Sequence, residues 1–279
     1  LGRHRALAVV EDLERQALAA AGRVQRRGVG RPRRRRAQRR QLLQQQAERV
    51  LVGAGVELVA AASGDLCHGL VLVGGCAASL LIDAPTAPPP RVTYDVDLIA
   101  IVAALHNYHA LEERFAERGF TRDISPDAPI CRWRIGGIEV DLMPTDESVL
   151  GFANRWYPEA VASATRLSLP SGTAINLISA PAFLATKFEA FRTRGKADLL
   201  MSHDFEDILN VIEGRQAILA EVGAGETALR AYLAQQFASI IAAADFANVL
   251  PGLVAYDELY EQRLSRVRQR VAAIAAMET

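Results

Sequence analysis

Lysine is almost missing from this chain: Lys187 and Lys196 stand against 30 arginines. Hydroxyl side chains are missing from its start, the first serine being Ser63 and the first threonine Thr86. A mitochondrial presequence is rich in serine, so that reading is weak, and the same stretch has no apolar core of the secretory kind. Cysteine is scarce, and the three present (Cys67, Cys76, Cys131) form neither an even disulfide framework nor a CxxC metal knuckle. A reducing compartment, the cytoplasm, is the expected setting. Long hydrophobic runs are lacking too. Residues 66–82 carry no charge other than a histidine but fall short of the roughly 20 apolar residues of a span. Residues 167–186 are long enough, but two prolines, a glycine, an asparagine and several hydroxyls interrupt them. No transmembrane helix and no membrane partner are expected.

What is present is a chain of 279 residues, half of them hydrophobic and 23% charged, enough for one large domain or two modest ones. Its net charge of zero hides an asymmetry. Residues 1–40 contain 13 arginines against Glu11, Asp12 and Glu14, a local charge of +10, and the other 239 residues carry −10. Ten of the eighteen residues 23–40 are arginine. Like charges at that density repel, and too few apolar residues offset the ordering entropy, so 1–44 is expected to be a disordered extension. Two readings of it stand. Clustered arginines release counterions from phosphate backbones, as a nucleic-acid-binding arm would. Alternatively, the leucine start and arginine bias are what translation upstream of a true start would produce.

Beyond this arm the patterning predicts an α/β core over 45–150 and a mainly helical domain over 151–279, an α+β fold with a mixed sheet flanked by helices. Helical composition covers 42–62. A short β-rich run, 69–75, ends in Gly74-Gly75, with a helix after it. The proline-rich stretch 83–90 is a loop, and 94–102 reads as a buried strand. An amphipathic helix over 102–119 ends at Gly119, as a C-cap would. Strands at 131–135 and 138–143 are joined by Gly136-Gly137, a hairpin signal. Helices are expected at 180–194, 204–213, 226–244 and 253–276.

Three features carry chemistry. Gly74-Gly75 lies between strand and helix, where the missing Cβ permits a tight turn and close backbone approach to a phosphate; many strand-to-helix turns use glycine without any such role. Asp95 and Asp97 alternate with Val96 on one strand, so they share a face, with Cα atoms about 7 Å apart. Two carboxylates there repel unless a cation or proton intervenes, and Mg²⁺ suits such hard oxygen donors; a solvated strand end is the other reading. Glu139-Val140-Asp141 repeats the pattern. If its strand pairs beside the first, Asp141 becomes a third carboxylate, the number that serves two-metal phosphoryl transfer.

The order of these features resembles the nucleotidyltransferase superfamily. Val73-Gly74-Gly75-Cys76-Ala77-Ala78-Ser79-Leu80, followed by Arg91-Val92-Thr93-Tyr94-Asp95-Val96-Asp97-Leu98, is similar to the first motif of the AbiEii-type nucleotidyltransferase toxins. Lys187-Phe188-Glu189-Ala190-Phe191-Arg192-Thr193-Arg194 and His203-Asp204-Phe205-Glu206-Asp207 resemble that family's later motifs, with His203 where an arginine is common. The resemblance spans about residues 65–215. It implies transfer of a nucleoside monophosphate from an NTP to an acceptor, an RNA such as tRNA or a protein, with a cognate antitoxin as a further partner. It implies that Gly74 and Gly75 hold the triphosphate and that Asp95, Asp97 and Asp141 bind Mg²⁺ at a two-metal site. Lys187 would reach the nucleotide, Asp204 and Asp207 would position Lys187 or the nucleotide, and Arg91 and Thr93 would touch phosphate or brace the loop. Asp204 also fits a plain helix N-cap with Asp207 at N3. The reading of another class is a catalytically silent nucleotide-binding or protein-interaction module on the same fold.

Overall fold

A computed structural model describes residues 53–88, 91, 93, 95–102, 104–194 and 198–277. The arginine-rich extension and the first part of the predicted 42–62 helix lie outside them. The described chain forms two compact units. The first holds residues up to 79 together with 89–151 and 166–177; the second holds 80–88, 152–165 and 178 onward.

The first unit is built on a mixed seven-stranded sheet. Its strands are β1 (Leu70–Val73), β2 (Asp95–Ala100), β3 (Thr121–Arg122), β4 (Arg132–Ile135), β5 (Ile138–Pro144), β6 (Thr165–Ser168) and β7 (Ala174–Leu177), in the order β3-β4-β5-β2-β1-β7-β6. The fold is thus α+β, as expected. β1 runs antiparallel to β2, and β2 runs parallel to β5. These middle strands are the most apolar, and Val71, Ile99, Ala100, Val140 and Leu142 are wholly buried. The β4–β5 hairpin turns through Gly136 and Gly137, at φ +54° and +83°, the left-handed values that a two-residue hairpin turn demands. The helix Leu105–Glu117 buries Tyr108 and Phe115, and the Tyr108 hydroxyl donates to the Leu142 carbonyl at 2.6 Å, fixing the helix on β5. Gly119 (φ +86°) ends that helix. Phe115, Phe120 and Trp133 close the core beside it.

The expected boundary near residue 150 does not hold. The chain returns to the sheet, with β7 parallel to β1, and the Asn176 amide donates to the carbonyls of Cys67, His68 and Leu70. Four-residue strands, one of them mostly solvent-exposed, carry little periodicity to read. The signal was Pro170-Ser171-Gly172, a turn with Gly172 at φ +86°.

The second unit is helical: Tyr157–Ala162, Ala180–Thr193, His203–Gly214, Ile218–Ala224, Thr227–Ala242, Phe246–Leu253 and Tyr260–Ala275. A run of phenylalanines fills it, Phe188 against Phe237 and Phe191 against Phe205, which in turn meets Phe246. The predicted 253–276 helix starts later, at Tyr260. Asp257 accepts from the Leu259 N–H and pairs with Arg263 in the preceding bend, which leaves Tyr256 outside the helix and 86% exposed. Leu264, Val267, Val271 and Ile274 are buried, so the apolar stripe is core. Among the described residues no single helix is long and apolar enough to cross a membrane.

Candidate functional site

The sheet register brings the strand acids together. In the β1–β2 pair Val73 lies opposite Asp97, and in the β2–β5 pair Asp97 lies opposite Asp141 and Asp95 opposite Glu139. Gly74 follows Val73 directly and opens the helix Gly74–Leu81 at φ +68°. A Cβ on Gly74 would collide with the Asp97 carboxylate, and one on Gly75 would press on Thr93 at 3.0 Å. The glycine pair is therefore a cradle for two side chains of the second half of the motif. Thr93 in turn donates its hydroxyl to Asp95 Oδ1. The thiol of Cys76 donates to the Asp95 carbonyl at 3.1 Å, tying the helix to β2.

Asp95 and Asp97 are half-buried, whereas Asp141 is buried. Arg132 of β4 clamps Asp141, Nε to Oδ1 and Nη2 to Oδ2, both at 2.8 Å, and its Nη1 reaches Glu139 at 2.7 Å. Arg134 takes the other Glu139 oxygen and Asp123, and with Ser125 it holds the Asp123 carboxyl down at about 2. A bidentate guanidinium is among the strongest partners a carboxylate has. Sequence spacing does not show this clamp, although Arg132 and Asp141 are cross-strand partners in the hairpin, so a register drawn through Gly136-Gly137 would have exposed it.

The donor set fits a divalent cation in part. Asp95 and Asp97 are hard oxygen donors on one face of one strand. Asp141 offers its oxygens to Arg132 instead. Among the described residues no group of three or more His, Cys, Asp or Glu side chains is disposed to hold a metal. Arg91 is half-buried, and its Nε is a buried donor with no hydrogen-bond partner.

Lys187, Asp204 and Asp207 meet within the second unit. Lys187 is buried in the helix Ala180–Thr193, and its Nζ donates to Asp204 Oδ1 at 3.0 Å and Asp207 Oδ2 at 2.6 Å. Arg194, which stands in the quoted motif but has no role assigned there, donates Nε and Nη2 to Asp204, each at 3.1 Å. Burial works against charge on Lys187, but Asp207 and Asp204 outweigh it and raise its pKa. Burial likewise opposes charge on Asp204, yet Lys187 and Arg194 hold its pKa down. The N-cap of the helix His203–Gly214 is Ser202, which accepts from the Phe205 N–H. Asp204 is therefore not the cap: its side chain turns inward to the lysine.

No protein-family model matches the chain, and no curated protein matches it either. The resemblance to AbiEii-type nucleotidyltransferases therefore rests on the motif residues of the sequence alone.

Proposed function

We propose that this protein is a nucleotidyltransferase resembling the AbiEii-type toxins, moving a nucleoside monophosphate from an NTP to an acceptor, an RNA such as tRNA or a protein. One observation carries the reading: Val73, Asp97 and Asp141 stand in register on three adjacent strands, which sets Gly74-Gly75 beside the Asp-Val-Asp acids.

In this reading the backbone N–H groups at the start of the helix Gly74–Leu81 receive a phosphate, as helix N-termini do. Arg91 supplies its unpartnered Nε–H to a second phosphate oxygen. Thr93 fixes one oxygen of Asp95 and leaves the other for a ligand. A Mg²⁺ ion on Asp95 and Asp97 would lend charge stabilisation to the phosphoryl oxygens. Asp141, once released by Arg132, is the base for the acceptor hydroxyl, and the freed guanidinium is a phosphate partner. Lys187 is held in two closed ion pairs within the second unit and becomes available to a phosphate only by exchanging Asp204 or Asp207 for it. Positioning and charge stabilisation supply the catalysis, with little covalent chemistry required of the protein.

The Arg132 clamp favours a second reading, a catalytically silent nucleotide-binding module, because it neutralises the third acid permanently if it never opens. Incubating the protein with Mg²⁺, each α-labelled NTP, total RNA and a protein extract separates the two. Label in RNA or protein, lost in the Asp95→Ala/Asp97→Ala variant, is expected. Nucleotide binding without any transfer would move the protein to the silent reading. Failure of both, from folded protein, would remove the site.

A further inference from the structure

Away from the ion cluster, the second unit carries an aromatic cleft that the transferase reading leaves without a role. It measures about 700 Å³ and is lined by Arg155, Trp156, Ala228, Ala231, Tyr232 and Gln235, a volume typical of small-ligand sites. Residues 228, 231, 232 and 235 fall at helical spacing along Thr227–Ala242, and the two alanines leave the floor open. The Arg155 guanidinium lies 4.4 Å from the Tyr232 ring centre and 5.1 Å from that of Trp156, and the two rings are 5.0 Å apart. Glu189 holds this stack, accepting from Arg155 Nε at 3.2 Å and from the Tyr232 hydroxyl at 2.6 Å. The segment itself is pinned by Asn154, whose amide donates to the Thr186 carbonyl and whose Oδ1 accepts from the Trp156 N–H. Glu189 and Lys187 are two residues apart on one helix, so the cleft and the ion cluster occupy different sides of it.

Three features describe the occupant. Flat π surfaces, the half-buried Trp156 ring and the exposed Arg155 guanidinium backed by the buried Tyr232 ring, suit a planar heteroaromatic group. The Trp156 indole N–H is buried without a hydrogen-bond partner, and a small ring tilt toward a ligand acceptor would satisfy it. Exposed Gln235 offers an amide that both donates and accepts, the pattern of a base edge.

We infer that the Arg155–Trp156–Tyr232 cleft binds a nucleobase by stacking, either of a free nucleotide or of an unpaired residue in single-stranded RNA. Stacking of this kind tolerates any base because every base has a π face. The inference does not depend on nucleotidyl transfer, and its test omits metal and NTP.

The test follows tryptophan emission in the full chain. Only Trp133 and Trp156 contribute, and Trp133 is buried in the first unit, so a base stacking at the cleft quenches Trp156. AMP, UMP and a short oligoadenylate are titrated separately. Saturable quenching is expected, weakened at least tenfold by Ala228→Leu, which fills the cleft from an exposed helix position, and by Arg155→Ala, with unchanged circular dichroism in both. Quenching by mononucleotides marks the free base as sufficient, and quenching by the oligonucleotide alone marks single-stranded RNA as the source. Absence of saturable quenching with all three overturns the inference. Oligonucleotide binding that survives Ala228→Leu but is abolished by salt belongs to the arginine-rich extension, and overturns it equally.

Discussion

Gly74 and Asp97 approach so closely that the carboxylate occupies the space of a side chain on the glycine. The contact arises from register, because Val73 pairs with Asp97 and the chain turns immediately afterwards. A Gly-Gly turn and an acid two strands' worth of sequence away are thereby one structural unit.

Gly74→Ala tests that unit. The alanine meets the Asp97 carboxylate and must adopt φ +68°, a left-handed value that costs a non-glycine residue about 1–3 kcal/mol. In urea denaturation Gly74→Ala is expected to lose at least that much. Asp97→Ala removes the carboxylate but keeps a Cβ at 2.8 Å, so the glycine substitution should cost less in that background, leaving the backbone term and a smaller residual contact. Full additivity would show that Asp97 does not lie on Gly74.

Arg132 is the counter-charge of the strand acids, and replacing it changes what they can bind. Arg132→Gln takes the guanidinium from Asp141 and one of two from Glu139, on strands that also carry Asp95 and Asp97. Removing one partner of a charge pair this well enclosed strands the other charge. The variant should melt earlier in metal-free buffer, and Mg²⁺ should raise its melting temperature more than that of the unaltered protein. Equal Mg²⁺ responses would mean that Arg132 does not compete with a cation for Asp141.

Much of this site was legible beforehand because strand alternation and glycine chemistry are local. The helix at Leu105–Glu117, the Gly136-Gly137 hairpin and the shared face of Asp95 and Asp97 all follow from short windows of sequence. The Arg132 clamp, the Arg194 fork and the return of β6 and β7 to the sheet depend on which segments pair. A pairing that spans about 100 residues, as β7 with β1 does, leaves no periodic trace in either strand. The same limit applies to Asp204, where composition at a helix start suits a cap and only tertiary contact turns the side chain toward Lys187.

The cysteines offer a check on packing. Cys67, Cys76 and Cys131 are buried thiols outside any disulfide. Burial, with Asp141 nearby, pushes the Cys131 thiol up to about 12, and burial raises Cys67 as well. Since the thiolate is the reactive form, a disulfide reagent at pH 8 should label native protein slowly and all three thiols after denaturation. Rapid stoichiometric labelling of the native state would contradict the burial.

The Lys187 cluster predicts a pH dependence with a definite sign. Asp204 titrates below its ordinary 3.8 when folded, so its contribution is complete above that pH and is lost as pH falls through the depressed value. Lys187 titrates above its ordinary 10.5, so its share is complete below that pH and is lost only as pH climbs through the raised value. Between these limits Lys187 and Asp204 are both charged. Lys187→Met takes the buried ammonium from Asp207 and leaves Asp204 to Arg194, and should cost about 3–5 kcal/mol at neutral pH. That cost should shrink as pH approaches 4, because without Lys187 the buried Asp204 takes up a proton more readily in the variant while it stays ionised in the unaltered protein. Urea unfolding of both proteins from pH 4 to 8 measures the difference directly. A cost that stays constant across the range would mean that Asp204 is not held ionised by Lys187.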